Sequence, residues 1–298
     1  MLLKKACTPY GKLEKFFTEP YNEKNFLFFF RIMISFIALI EITAMATDLS
    51  LFFSASGTLV PQELMYLPSD SFKYLYPLYQ FLENQGLNDI FYPGIIYAYC
   101  IALIFMGVGL MTRYVSFIAL ILQLIIFRSF SPFNYGFDYF LTMSLFYCFI
   151  FPTGKYYAVD AQIFRYDPVI KFNYRRIIQV HLAIAYCFSG IAKGLDSGWW
   201  NGNSIWRAIT SVDNSYYAYP SFLLIIAGIG TVLLEFLYPA LIICKNTRKY
   251  AVMAMILMHL SIAVMMNLYV FSAIMIVWNI AAFTSLTATK SFVHVETA

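Results

Sequence analysis

A lysine closes one of the most apolar stretches of this chain, IIQVHLAIAYCFSGIA, and a polar segment rich in tryptophan, GLDSGWWNGNS, follows it. On a helix, Lys193 shares a face with Tyr186, Ser189 and Gly190. Small residues on that face permit close contact with a neighbouring helix, so the ammonium is expected to face protein and not lipid. A desolvated lysine holds its proton less tightly and can act as a base. The alternative is a lysine that snorkels to an interface and pairs with Asp196.

Other polar groups stand in equally apolar surroundings, where each is a functional candidate. His181 and His259 are candidates for binding or proton transfer, or for bridging helices. Neither belongs to an HExxH pattern and no third His or Cys has suitable spacing, so no metal site is expected. Glu235 lies in LLEFLYPAL, four residues before Pro239, where the proline frees a backbone carbonyl one turn back. It is expected to orient a basic partner, His259 or Arg31, with direct catalysis as a further role. Asp138 opens an apolar run in SPFNYGFDYF. An acid there suits a helix N-terminus, and Asn134 and Tyr135 accompany it. Trp199 and Trp200 read as interfacial anchors. Arg31 and Glu41, on one run, are expected to pair inside the bundle.

The elements that position these groups follow from composition. Of 298 residues, 61% are hydrophobic and 12% charged, against about 25% charged in a soluble domain. This excludes a soluble enzyme, a disordered chain and a disulfide scaffold. Cys7, Cys100, Cys148, Cys187 and Cys244 form no CxxC pair and read as packing residues. Without a basic domain, nucleic acid is not expected as a partner. No cleavable signal peptide is expected, because the apolar run behind the first lysines is too long.

Apolar runs place spans at 26–46, 90–111, 114–127, 137–151, 176–192 and 221–244. The last run, 250–286, would reach about 55 Å as one helix against a hydrocarbon core of about 30 Å. It is therefore broken near Asn267, which makes about eight spans. Residues 1–25 are expected as an amphipathic segment, with Lys4, Lys5, Lys12 and Lys15 toward lipid phosphates. One bundle covers 26–287, with a long outer loop at 47–89 that includes Gly57 and Pro61, and a tail at 288–298. Fifteen of the twenty Lys and Arg fall on one side of this arrangement and four on the other, with Arg31 inside span one. The positive-inside rule then puts both termini in the cytoplasm and the Lys193 end at the outer face. The fold class is an all-α, multi-pass membrane protein, expected in the cytoplasmic (inner) membrane.

The stretch QVHLAIAYCFSGIAKGLDSGWWNGNSI resembles the hallmark segment of the vitamin K-dependent gamma-carboxylase-like membrane proteins, the HTTM (horizontally transferred transmembrane) family. The matching features are Tyr186, Ser189–Gly190, Lys193, Trp199 or Trp200, and Gly202. A second segment, LLEFLYPALIICKNTRKYAVMAMILMHL, is similar to the family's order of Glu235, Pro239, Arg248 and His259. The outer-loop stretch SLFFSASGTLVPQEL is also similar, and the resemblance spans nearly the whole chain. It implies a short homologue of bacterial type in which Lys193 deprotonates reduced vitamin K or menaquinone. Oxygen then yields an epoxide, and the strong base formed takes a γ-carbon proton from a glutamate to which carbon dioxide adds. Asp138, His259 and Glu235 are the implied catalytic companions; Tyr186, Trp199, Trp200, Asn134 and His181 would contact the quinone. No metal, flavin or haem is implied. This sequence reads NYGFDYF, with Asp138, where the carboxylases carry a histidine.

Two readings of different class stay open. One is a quinone-using carboxylase or epoxidase-like enzyme with a secreted peptide substrate. The other is a non-catalytic or partner-dependent membrane subunit for maturation, export or assembly of a secreted or envelope protein. A family relative that matures a sporulation-delaying toxin belongs to that second class. A transporter is disfavoured by the absence of internal repeats.

Overall fold

A computed structural model describes residues 15–18, 23–45, 48, 75–129, 134–164, 172–211 and 219–284. Among these the chain is helical and without strands. Its long helices are α1 (Glu23–Ala44), α3 (Asn88–Val108), α4 (Thr112–Ser129), α5 (Gly136–Ile150), α7 (Tyr174–Gly194), α10 (Ser221–Ile243), α11 (Lys245–Met266) and α12 (Tyr269–Phe283). Shorter pieces are α2 (Leu75–Asn84), α6 (Val159–Ile163), α8 (Ser197–Trp200) and α9 (Asn203–Thr210). Every apolar run read from the sequence forms a helix. Four of them, α1, α7, α10 and α11, are long and apolar enough to cross a membrane. The apolar parts of α3, α4, α5 and α12 are shorter.

The last run breaks where expected. Asn267 adopts a left-handed conformation with φ 53° and separates α11 from α12, a geometry that asparagine tolerates better than most residues. Between α3 and α4, Gly109 takes φ 82°, and the amides of Gly109 and Leu110 both donate to Phe105 O. This closes α3 in the manner of a Schellman turn.

The expected loops hold more structure than their composition announced. The 47–89 stretch carries α2, while Gly57, Pro61 and most of that loop lie outside the described residues. The loop after α5 contains a 3-10 turn, Thr153–Lys155, and α6. It is pinned by two buried charges. Arg31 donates to Thr153 O at 2.7 Å and Tyr157 O at 2.7 Å. Asp160 accepts from the Met111 and Thr112 amides and the Thr112 hydroxyl, each at 2.7 Å. The N-terminus of α4 is thus capped by a distant carboxylate. Arg31 and Glu41 form no ion pair among the described residues, which corrects the expected pairing. They are ten positions apart on one helix, roughly 15 Å along its axis.

Helix α12 is the hub, with Ser272, Ile274, Met275, Val277, Trp278, Asn279, Ala281 and Ala282 all buried. It packs on α1, α5, α7 and α11, joining the α1–α3–α4–α5 group to the α7–α10–α11 group. Trp278 is fully buried and donates to Ser144 Oγ at 2.8 Å. The outward surface is apolar: Tyr97, Phe105, Val108, Ile118, Phe188, Ile226 and Val264 are all exposed. Apolar exposure on this scale suits lipid contact. Of the expected amphipathic N-terminal segment, a helical turn at 15–18 is described, and Phe17 there stacks on Phe172. Lys4, Lys5 and Lys12 lie outside the described residues.

Candidate functional site

The contact between α7 and α10 is the most extensive in the molecule, and Gly190 makes it possible. A Cβ at this position would lie 2.5 Å from the backbone nitrogen of Phe236. The small-residue face read from the sequence therefore does bring two helix backbones together. Farther along, Gly194 faces Val232, Gly228 faces the Trp199 carbonyl, and Gly202 faces Leu224 and Ile225. The chain from Gly190 to Gly202 follows α10 without leaving it. The segment after Lys193 is thus a continuation of the helix pair with a break in it, and not a free outer loop.

Lys193 sits at that break. Side chains on a helix tilt toward its N-terminus, so the ammonium points back along α7 toward α10. There Nζ donates to both carboxylate oxygens of Glu235, at 2.6 and 2.7 Å. The Glu235 side chain is 4% exposed and that of Lys193 23%. The Trp199 ring covers the ammonium, with its centroid 5.0 Å from Nζ, within cation–π range. Glu235 does orient a basic partner, but the partner is Lys193 and neither His259 nor Arg31. Asp196, the alternative partner for Lys193, is used locally. It accepts from the Gly198 amide at 2.9 Å and from Ser204 Oγ at 3.0 Å. These bonds, the amide first, hold its carboxyl below the ordinary carboxylate range.

One and two turns deeper lies a buried polar chain. Tyr238 donates to Asn279 Oδ1 at 2.9 Å, and Asn279 Nδ2 donates to Tyr186 Oη at 2.8 Å and to Met275 O at 2.8 Å. Tyr186 Oη and His259 Nε2 are 2.9 Å apart. The Tyr186 oxygen thus joins Asn279 and His259, and the imidazole tautomer sets which of Oη and Nε2 donates. His259 is 2% exposed, and its Nδ1 has no hydrogen-bond partner among the described residues. The imidazole also lies within electrostatic range of Lys193, as Tyr186 does of Glu235. Four helices, α7, α10, α11 and α12, thus contribute to one polar seam.

The remaining candidates divide. Tyr186, Lys193, Trp199, Glu235 and His259 are brought together. Trp200 is 44% exposed and its indole caps α7 by donating to Gly194 O at 2.8 Å, in keeping with an anchor at an interface. His181 lies twelve positions before Lys193, about 18 Å along the helix. Its Nδ1 is 2.8 Å from Tyr147 Oη, and Phe140 and Trp278 pack on the ring, so it belongs to an aromatic cluster beside α12. Asp138 accepts from the Tyr135 amide at 3.0 Å. It caps α5 and makes no ion pair with Lys193 among the described residues. Asn134 stands just before that cap. The start of α5 approaches the seam through Gly136, against which Phe271 packs, and Phe271 meets His259 at 5.7 Å between centroids.

Two members of the seam were not singled out from the sequence, Tyr238 and Asn279. The signal was present for Asn279, an amide inside the apolar run IMIVWNIAAF, where an unpaired polar group is costly. Among the described residues, no group of three or more His, Cys, Asp or Glu is placed to hold a metal. Comparison with family models, with curated proteins and with solved structures gave no match.

Proposed function

We propose that this chain is an eight-span, inner-membrane protein of the carboxylase-like HTTM class, with both termini cytoplasmic, and that Lys193 and Glu235 form its proton-handling centre at the outer face. The observation that carries the reading is the two-pronged Lys193–Glu235 pair held at a helix break beneath Trp199. The correspondence of seven apolar runs, the last broken near Asn267, with eight long helices and the one-sided distribution of Lys and Arg support the topology.

The residues fit a flat, apolar, hydrogen-bonding ligand: an indole face, a partly accessible ammonium and a buried imidazole nitrogen with no partner among the described residues. A reduced quinone bound there would supply an acidic phenolic O–H and, with oxygen, the strongly basic chemistry of the carboxylases. The protein's part is to move protons. Lys193 would be the group that meets the phenolic O–H, and Glu235 holds its Nζ in place through both carboxylate oxygens. The Tyr238–Asn279–Tyr186 chain holds the His259 ring in one orientation, with Nδ1 left without a partner among the described residues.

The full chain in lipid, given a reduced naphthoquinone and oxygen, is expected to form quinone epoxide. Lys193→Ala and Lys193→Arg are both expected to abolish it, because arginine keeps the charge but cannot surrender its proton near neutral pH. Absence of epoxide from folded native protein would favour the second reading, a partner-dependent subunit that helps mature or export an envelope protein. That reading is favoured by the engagement of Lys193 with both Glu235 oxygens, which is also how an ion pair staples two helices.

A further inference from the structure

At the opposite end of the α7–α10 contact, a lateral cavity of about 540 Å³ opens on the bundle's flank. Its walls are apolar and include Ala183, Ile184, Phe188, Pro239 and Ile243. Ile184, Phe188 and Ile243 are among the exposed large hydrophobic residues, so the cavity opens to whatever surrounds the bundle. One end is cationic. Arg176, Gln179 and Arg248 line it, with no acidic side chain among the described residues. Arg176 lies over the Phe16 ring and donates to Gln179 Oε1 at 2.9 Å. Arg248 donates Nε to Ile242 O at 2.7 Å and Nη2 to Ile243 O at 3.4 Å, while Nη1 makes no hydrogen bond among the described residues. Helix α11 begins here with no side-chain cap on its first amides, and Lys245 and Lys249 flank Arg248.

We infer that this cavity is a binding site for an anionic phospholipid of the cytoplasmic leaflet, the phosphate between Arg176 and Arg248 and an acyl chain along the α7–α10 groove. The argument is charge complementarity joined to shape. A greasy slot that opens sideways admits a chain from lipid, and the cations at its end face the headgroup layer. Basic pockets between membrane helices on the cytoplasmic side take acidic headgroups for this reason. The inference rests on the membrane reading and its orientation, and is independent of any chemistry at Lys193.

The test uses the purified full chain in detergent, with lipid binding read by native mass spectrometry and thermal unfolding. The probes are dioleoyl phosphatidylglycerol, dioleoyl phosphatidylcholine and inorganic phosphate. The glycerol lipid is expected to bind roughly tenfold more tightly than the choline lipid, and Arg176→Gln combined with Arg248→Gln to erase that preference. Since Arg248 also caps α10, a second variant, Ala183→Trp, fills the groove while keeping both arginines and is expected to weaken the glycerol lipid by a similar factor. Equal binding of the two lipids by the native chain would overturn the inference. So would a groove-filled variant that binds like the native chain, or inorganic phosphate that stabilises as well as the lipid does. Flotation with vesicles separates the two levels, because a chain that fails to float overturns the membrane reading itself.

Discussion

Lys193 and Glu235 show how a single pair can change the meaning of each partner. A lysine after an apolar run reads equally as a snorkelling anchor or as a base. Paired through both carboxylate oxygens it is neither free to snorkel nor a bare ammonium. Losing one partner leaves the other charge poorly solvated, so Glu235→Gln is expected to cost about 2 kcal/mol, below the full buried-pair figure because Lys193 is partly exposed. The double replacement Lys193→Met with Glu235→Met is expected to recover most of that stability while remaining inactive, as measured by thermal unfolding beside epoxide formation. Recovery of activity in the double variant would remove the pair from any mechanism. Asp196 gives a pH signature at the same scale. Its folded carboxyl is held low, chiefly by the Gly198 amide and then by the Ser204 hydroxyl. Its stabilisation is therefore complete above the ordinary carboxylate range and fades as pH falls through that range toward the lower folded value. Fluorescence of Trp199 and Trp200 is expected to change on acidification in the native chain, and the Asp196→Asn chain is expected to lose that transition. The polar character of Lys193, Glu235 and His259 was legible in the sequence because charges and imidazoles are conspicuous among apolar residues. Their pairing was not, because partners forty-two or seventy-three positions apart leave no local trace.

At the scale of elements, the fit of α7 on α10 rests on backbone approach more than on side-chain volume. Gly190→Leu is expected to destabilise the protein by about 2 kcal/mol or more through overpacking, and to separate Lys193 from Glu235. The check is a thermal unfolding curve together with epoxide formation. A variant as stable and active as the native chain would show that the helices can part without consequence. Helix ends on the basic side are closed by groups from other elements. Asp160 caps α4, Arg248 donates to the last carbonyls of α10, and Gln179 and Arg175 donate to Ala282 O and Thr284 O at the end of α12. Cations at C-termini and an anion at an N-terminus each complement the helix dipole. The helices themselves were legible, down to the break at Asn267, because apolar run length sets them. The α8–α9 continuation was not legible, since polar composition cannot distinguish a solvent loop from backbone that is covered by a neighbouring helix.

For the whole molecule, orientation is the testable property. In a chain freed of its native cysteines, Ser197→Cys is expected to react with a membrane-impermeant maleimide added to intact cells, and Lys245→Cys only after permeabilisation. The reverse pattern would invert the topology and move the Lys193 centre to the cytoplasmic face. What the sequence determined by itself is the solvent and the helices. An apolar chain whose charges fall almost wholly between its apolar runs must bury its backbone polar groups in helices, and the distribution of Lys and Arg is one-sided without any reference to contacts. Only the tertiary structure decided which polar groups share a site. It joined Lys193 to Glu235 and Tyr186 to His259 and Asn279, kept His181 among aromatic rings, and assigned Asp138 to a cap. The physical reason is that burial makes each polar group require a partner, while the choice of partner depends on helix register and on the backbone approach that Gly190 allows.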